Sequence, residues 1–256
     1  MSAGELRELA ERVAREAGAQ LLEAFGGPAL GVEAKSTPTD LVSAADRAAE
    51  ELILGRISAA RSGDGFLGEE GADEAGSSGL RWIVDPLDGT ANFLFGLPQW
   101  AVSIAVEDGD GVLAGVVYDP PRDELWAAER GGAATLDGRP VRGSRRGELA
   151  TALVATGFGY DAGVRRAQAA TIAALLPEVR DVRRFGAAAL DLAWCAAGRF
   201  DAYYERGVHR WDVAAGGLLC ECAGLVVEPL AAAPPQGTGL LVSAPGIADA
   251  LRDRVA

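Results

Sequence analysis

The sequence predicts a mixed α/β fold in a single domain, residues 1–256. Helices and a mostly antiparallel sheet fill residues 1–141, and an alternating α/β half fills residues 149–256. Three observations carry that reading. Near the N-terminus apolar residues recur at three- and four-residue steps, whereas between residues 80 and 136 they come in short runs broken by Gly and Asp. Beyond the polar stretch 142–148 the apolar runs alternate between strand-like and helix-like lengths. The chain of 256 residues is 49% hydrophobic and 24% charged, without repeat or long linker, and at that length it folds without disulfide or metal staples.

Residues 4–25 read as a helix, with Leu6, Leu9, Val13, Ala17, Leu21 and Phe25 on one face, stopped by Gly26, Gly27 and Pro28. The polar run Lys35-Ser36-Thr37-Pro38-Thr39-Asp40 reads as loop. Asp40 is the expected N-cap of a second helix over about 41–60, with Leu41, Ala45, Leu52, Ile53 and Ile57 inward and Ser62-Gly63-Asp64-Gly65 as its stop. Residues 72–79, rich in Gly, Ser and acid, read as a surface loop, and Trp82-Ile83-Val84 as a buried strand. Residues 101–107 and 112–118 flank Asp108-Gly109-Asp110-Gly111 as a hairpin, and short strands follow at 124–129 and 133–136. In the second half, strands at 151–156, 181–184, 200–205, 224–228 and 239–243 alternate with helices at 163–176, 187–197, 211–223 and 246–255.

The formal net charge of −13 argues against nucleic acid as a partner, because phosphates need a basic face, and against an anionic membrane surface. No apolar run approaches the ~20 residues that span a bilayer. Residues 1–10 carry Glu5 and Glu8 and lack the basic start of a signal peptide, so the expected location is the cytoplasm. Cys220 and Cys222 would point ~200° apart on a helix, a poor metal or disulfide pair. With Cys195 they read as buried free thiols of a reducing compartment. The sole histidine, His209, lies beside Arg210 and reads as a surface or supporting residue, which gives no basis for a Ser-His-Asp triad. A Gly-rich nucleotide loop ending in Lys-Ser/Thr is absent.

The most informative segment is Trp82-Ile83-Val84-Asp85-Pro86-Leu87-Asp88-Gly89-Thr90-Ala91-Asn92-Phe93. A buried strand runs into two carboxylates, Pro86 and Gly89 force a turn, and Gly89 lets the backbone approach a ligand closely. Carboxylates at a strand end are hard oxygen donors suited to Mg²⁺. The Asp-x-Asp-Gly-Thr of the haloacid dehalogenase class does not fit, because the residue two before Asp88 is Pro86. Three further acidic pieces accompany the segment: Gly68-Glu69-Glu70 after an apolar run, Asp40 and Asp46 near the second helix start, and Trp211-Asp212-Val213-Ala214-Ala215-Gly216 opening a helix. Taken singly, each has a plainer reading as a turn, solvated surface or a helix cap.

In combination and in this order they resemble the inositol monophosphatase family of magnesium-dependent, lithium-sensitive phosphatases. The likeness runs from about Lys35 to Gly224, with smaller matches at Arg183-Arg184-Phe185-Gly186-Ala187-Ala188-Ala189-Leu190-Asp191 and Asp201-Ala202-Tyr203-Tyr204-Glu205. The resemblance implies a five-layer α-β-α-β-α sandwich, usually a homodimer. It implies that Glu69, Asp85, Asp88, Asp212 and the Leu87 carbonyl hold two or three Mg²⁺ ions, and that Glu69, Leu87, Asp88 and Asp212 also count among the substrate contacts. By the same resemblance Gly89 and Thr90 hold the phosphate through their amides. Asp46 and Thr90 orient the attacking water with Glu69 as base, and Gly186, Ala187, Ala188 and Glu205 line the alcohol side. Position 187, often Ser or Thr in the family, is Ala here, which removes one hydroxyl contact.

The physics points the same way. A phosphate monoester carries about −1.5 to −2 charge at neutral pH, and only divalent cations make an acidic pocket attractive to it. The expected reaction is in-line attack by an activated water with no phosphoenzyme. The expected substrate is myo-inositol monophosphate, with histidinol phosphate, NADP or a sugar phosphate as alternatives on the same scaffold. A non-catalytic interaction protein is the alternative of another class, and the intact set Glu69, Asp85, Asp88 and Asp212 speaks against it. Tyr203 and Tyr204 are expected to pack around Glu205 and hold its carboxylate for a polyol hydroxyl.

Overall fold

Helix α1 (Ala3–Ala24) starts at a reciprocal cap in which Ser2 Oγ accepts from the Glu5 amide and the Glu5 carboxylate accepts from the Ser2 amide. Its buried stripe runs through Leu6, Leu9, Val13, Ala17 and Leu21, while Phe25 is half-buried just past its end. A computed structural model describes residues 1–27, 33–34 and 41–256 of the chain. Asp40, the expected cap of the second helix, lies outside the described residues. Helix α2 (Ala44–Ala60) is capped by Ser43 with Asp46 as its reciprocal partner. Leu41 therefore precedes the helix: Glu33–Ala34 (β1) and Leu41–Val42 (β2) pair as antiparallel strands.

The first large sheet is built from β3 (Gly65–Gly68), β4 (Asp73–Glu74), β5 (Arg81–Asp88), β6 (Ala101–Asp108), β7 (Gly111–Asp119), β8 (Glu124–Glu129), β9 (Thr135–Leu136) and β10 (Arg139–Pro140). Their order is β10-β9-β8-β7-β6-β5-β3-β4, antiparallel except for the parallel pair β3–β5. The expected hairpin is β6–β7. The stretch 72–79 holds the edge strand β4, two exposed acidic residues long, which is a poor template for further pairing.

Pro86 does not end β5. The strand continues to Asp88, and Asp85 and Asp88 pair with Ser103 and Ala101, so one extra residue bulges out on β5. Residues three apart on a regular strand face opposite sides. The bulge at the N–H-less Pro86 turns both carboxylates to one side. The five-residue helix α3 (Thr90–Leu94) follows, entered through Gly89 at φ +93°.

The second sheet takes β11 (Leu153–Thr156), β12 (Asp181–Arg183), β13 (Ala202–Arg206), β14 (Val226–Leu230) and β15 (Gly239–Ser243) in the order β12-β11-β13-β15-β14. Between them lie α4 (Ala162–Leu175), α5 (Ala188–Ala196), α6 (Arg210–Cys222) and the closing α7 (Ala248–Val255). Three hydrophobic clusters define the layering. One joins α1 and α2 to the first sheet through Leu6, Ile53, Trp82 and Trp100. A second fills the space between the sheets with α5 and α6 through Leu190, Leu219, Trp126 and Tyr203. The third seats α4 and α7 on the outer face of the second sheet through Leu175, Tyr204, Leu241 and Leu251. The succession is α-β-α-β-α, as the resemblance implied. Cys195 and Cys220 are buried and Cys222 half-buried, all three as free thiols.

Candidate active site

The two sheets and the α5–α6 layer open onto one crevice of about 440 Å³, lined among others by Glu69, Asp85, Leu87, Asp88, Gly89, Thr90, Gly186, Ala188, Glu205 and Asp212. Each residue arrives there for a local reason. Glu69 follows the end of β3, which the parallel pairing with β5 places beside Val84. Asp85, Leu87 and Asp88 ride on the bulged end of β5. Gly89 is a glycine for two reasons: its φ of +93° suits no other residue well, and a Cβ there would lie 2.9 Å from the Gln99 carbonyl and 3.3 Å from the Ala187 methyl. Asp212 is the third residue of α6, where its carboxylate accepts from the His209 amide at 2.6 Å.

Asp46 and Ala187 stand behind the wall. Asp46 is buried in the first turn of α2, and the Thr90 hydroxyl lies 2.7 Å from its Oδ1 and 3.1 Å from the Leu87 carbonyl. Ala187 is buried against Gly89.

Asp88 ties the two halves together. Its Oδ1 accepts from the Ala188 amide at 2.9 Å and its Oδ2 from the Leu190 amide at 3.2 Å. A carboxylate from the first sheet thus caps α5, whose own N-cap residue Ala187 has no side-chain acceptor. Asn92 strengthens the same seam, donating its Nδ2 to the carbonyls of Gln99 at 2.7 Å and Phe185 at 2.8 Å.

The crevice concentrates negative charge, and Arg184 is the lining cation that acts on Glu205. Among the described residues no arginine or histidine forms an ion pair with Asp85, Asp88, Glu205 or Asp212. Arg206 spends its guanidinium on the carbonyls of Ala231, Gly237 and Val255, and His209 stacks on Trp211 at 4.8 Å. Burial, then the charges of Glu69, Asp88 and Asp212, push Asp85 well above the usual carboxylate range, and a hydrogen bond with Glu69 adds to this. Burial lifts Asp88 to about 7, against the pull of the Leu190 and Ala188 amides. Asp212 is raised in the same way, against the His209 amide. Glu205 stands at about 7 from burial, opposed by the Tyr203 hydroxyl and Arg184.

Among the described residues no three His, Cys, Asp or Glu side chains already converge as a ready-made ion cage. Their oxygens are taken up by amides and by one another. The donor chemistry nevertheless suits a hard divalent cation: carboxylate oxygens with spare acceptor capacity, among which burial and mutual repulsion disfavour the charged forms of Asp85, Asp88 and Asp212.

Sequence reasoning missed three features. Only Tyr203 reaches Glu205, its hydroxyl donating to Oε2 at 3.0 Å. Tyr204, its neighbour on the strand, points to the opposite face and packs in the outer core, because successive strand residues alternate. Gly157, one residue past β11, lies directly against the Glu205 carboxylate, a contact with no local signature in the sequence. Asn92 sits within the motif, but its clamp spans 93 residues of chain, which local patterns do not reveal.

Two layered sheets that deliver several carboxylates to one crevice offer the hard oxygen donors that a metal-dependent phosphatase uses. Comparison with known proteins places the chain within that class: a sequence profile of the inositol monophosphatase family matches residues 3–253, and the chain belongs to that family. The inositol-1-monophosphatase SuhB of Mycobacterium tuberculosis (strain ATCC 25618 / H37Rv) is 45% identical over 266 residues, covering 96% of this chain and 91% of that one. The solved structure of the extragenic suppressor protein suhB from Bartonella henselae superposes with a TM-score of 0.91 at 38% identity, covering 98% of each chain. An inositol monophosphatase of Thermotoga maritima superposes at 0.87 with 30% identity, covering 97% of this chain and 95% of that one.

Proposed function

We propose that this protein is a Mg²⁺-dependent phosphomonoesterase that hydrolyses myo-inositol monophosphate, working as a homodimeric single catalytic domain in the cytoplasm. The observation that carries the proposal is the set of carboxylates Asp85 and Asp88, buried, and Asp212, half-buried, raised in pKa by burial and mutual repulsion and, among the described residues, in no ion pair. No helix among the described residues is long and apolar enough to cross a membrane, and the acidic chain does not favour nucleic acid.

Glu69, Asp85, Asp88, Asp212 and the Leu87 carbonyl are the residues that would hold two or three Mg²⁺ ions. Bound there, the ions supply charge neutralisation, polarisation of the phosphoryl oxygens and a more acidic water. The remaining work falls to the chain. Gly89 and Thr90 present backbone amides to the phosphate at the turn after β5. The Thr90 hydroxyl, donating to buried Asp46, keeps its lone pairs for the hydrogen of an incoming water. Glu69 accepts the second proton as that water attacks opposite the leaving oxygen. Glu205 and the Gly186–Ala188 segment face the leaving alcohol. Glu205 accepts hydroxyl hydrogens there, while Ala187 supplies no hydroxyl.

A substrate panel in saturating Mg²⁺ tests the assignment. The expected order of kcat/KM places myo-inositol 1-phosphate first, with other polyol phosphates within about tenfold, since one missing polar contact is worth about 1 kcal/mol. Lithium at tens of millimolar should inhibit uncompetitively where sodium does not. A preference for histidinol phosphate or NADP would assign the alternative on the same scaffold, and turnover of none of them would contradict the enzyme reading.

A further inference from the structure

Resting on the assignment of Glu205 to the alcohol side, we propose that Gly157 and the Tyr203 hydroxyl fix the Glu205 carboxylate in place and thereby set the preference for polyol phosphates. The register explains the meeting. Strands β11 and β13 run parallel with Thr156 opposite Tyr204, so the next residue on each, Gly157 and Glu205, come level at the crevice. A Cβ built on Gly157 would find as its three nearest atoms both carboxylate oxygens and the carboxylate carbon of Glu205. The carboxylate occupies the space that a side chain on residue 157 would take. Gly157 does not have the positive φ that would demand glycine for backbone reasons, so the contact with Glu205 is what an added side chain would disturb.

From the other side Tyr203 donates to Oε2 at 3.0 Å, and its ring is buried in the core between the sheets, which leaves the hydroxyl little freedom. A carboxylate held on both sides loses little rotamer freedom when it receives a substrate hydroxyl. Gly157 and Tyr203 are positioning residues: neither is assigned a contact with the reacting atoms.

The test compares kcat/KM for myo-inositol 1-phosphate with that for p-nitrophenyl phosphate, which lacks ring hydroxyls, and follows their ratio. Glu205→Gln should lower the ratio roughly ten- to a hundredfold, the scale of a charge-assisted hydrogen bond. Gly157→Ala should lower it about tenfold or more in protein whose circular dichroism shows the native fold. The double variant Gly157→Ala/Glu205→Gln should fall no further than Glu205→Gln alone, because both changes act through one carboxylate. Tyr203→Phe, which keeps the ring, should lower the ratio several-fold and serves as the test if Gly157→Ala does not fold. A ratio within twofold of the parent in Gly157→Ala, or in Tyr203→Phe where that is the variant used, while Glu205→Gln lowers it, would overturn the positioning proposal alone. Additive losses in the double variant would overturn it as well. Equal losses on both substrates in Glu205→Gln would overturn the assignment of Glu205 itself, and the proposal with it.

Discussion

Replacing Asp88 by asparagine is expected to lower kcat at least ~10²-fold, the scale of losing one electrostatic stabiliser of a reacting centre. The change keeps the shape and removes the charge that the proposed metal site uses. Its effect on the fold is the balance of two opposed contributions. One cap bond to α5 is lost, since the amide NH₂ must face either the Ala188 or the Leu190 N–H, which costs about 1–3 kcal/mol. In return a buried carboxyl raised to about 7 no longer has to be ionised above that pH. The melting temperature should therefore change by only a few degrees while activity collapses. Circular dichroism melts beside steady-state kinetics check both halves. A folded, fully active variant would show that the catalytic charge is elsewhere.

The second large effect is on stability, and its sign reverses with the metal. In metal-free protein the folded-state pKa of Asp88 is raised from 3.8 to about 7, and Asp85 and Asp212 are raised in the same direction. The folded state then binds more protons than the unfolded state between these values, so stability falls as pH rises through that window. The favourable neutral form is fully present below about 4 and lost as pH passes about 7. Mg²⁺ binds the ionised carboxylates and should add ~2.7 kcal/mol at a hundredfold excess over its Kd. The melting-temperature gap between Mg²⁺ and EDTA samples should thus widen from pH 5 to pH 8, by several degrees for a chain of this size. A gap that stays constant or narrows would show that these carboxylates do not take up the ion.

Much of this was legible in the sequence because it depends on local chemistry. Helix stripes and turn residues marked the mixed α/β elements, the five layers came from the family that the order of acidic motifs resembles, and the run from Trp82 to Phe93 pointed to the crevice. What could not be read depended on residues distant in the chain or on small geometric choices. The second helix begins at Ala44, where Ser43 and Asp46 close a reciprocal cap that spacing alone did not single out. The bulge at Pro86 turns Asp85 and Asp88 to one side, where period-two alternation would have parted them. Asp88 caps a helix a hundred residues away, and Gly157 is shaped by a carboxylate on another strand. Tyr203 and Tyr204 were read alike although strand geometry sends them to different cores.

The central claim is that the acidic crevice hydrolyses a phosphate monoester only with a divalent cation in it. The direct measurement is phosphate release from myo-inositol 1-phosphate by one preparation, first stripped with excess EDTA, then dialysed and titrated with Mg²⁺. The expected result is no detectable turnover in the stripped protein and a saturable recovery to full activity as Mg²⁺ is returned. Undiminished phosphate release in EDTA would contradict it.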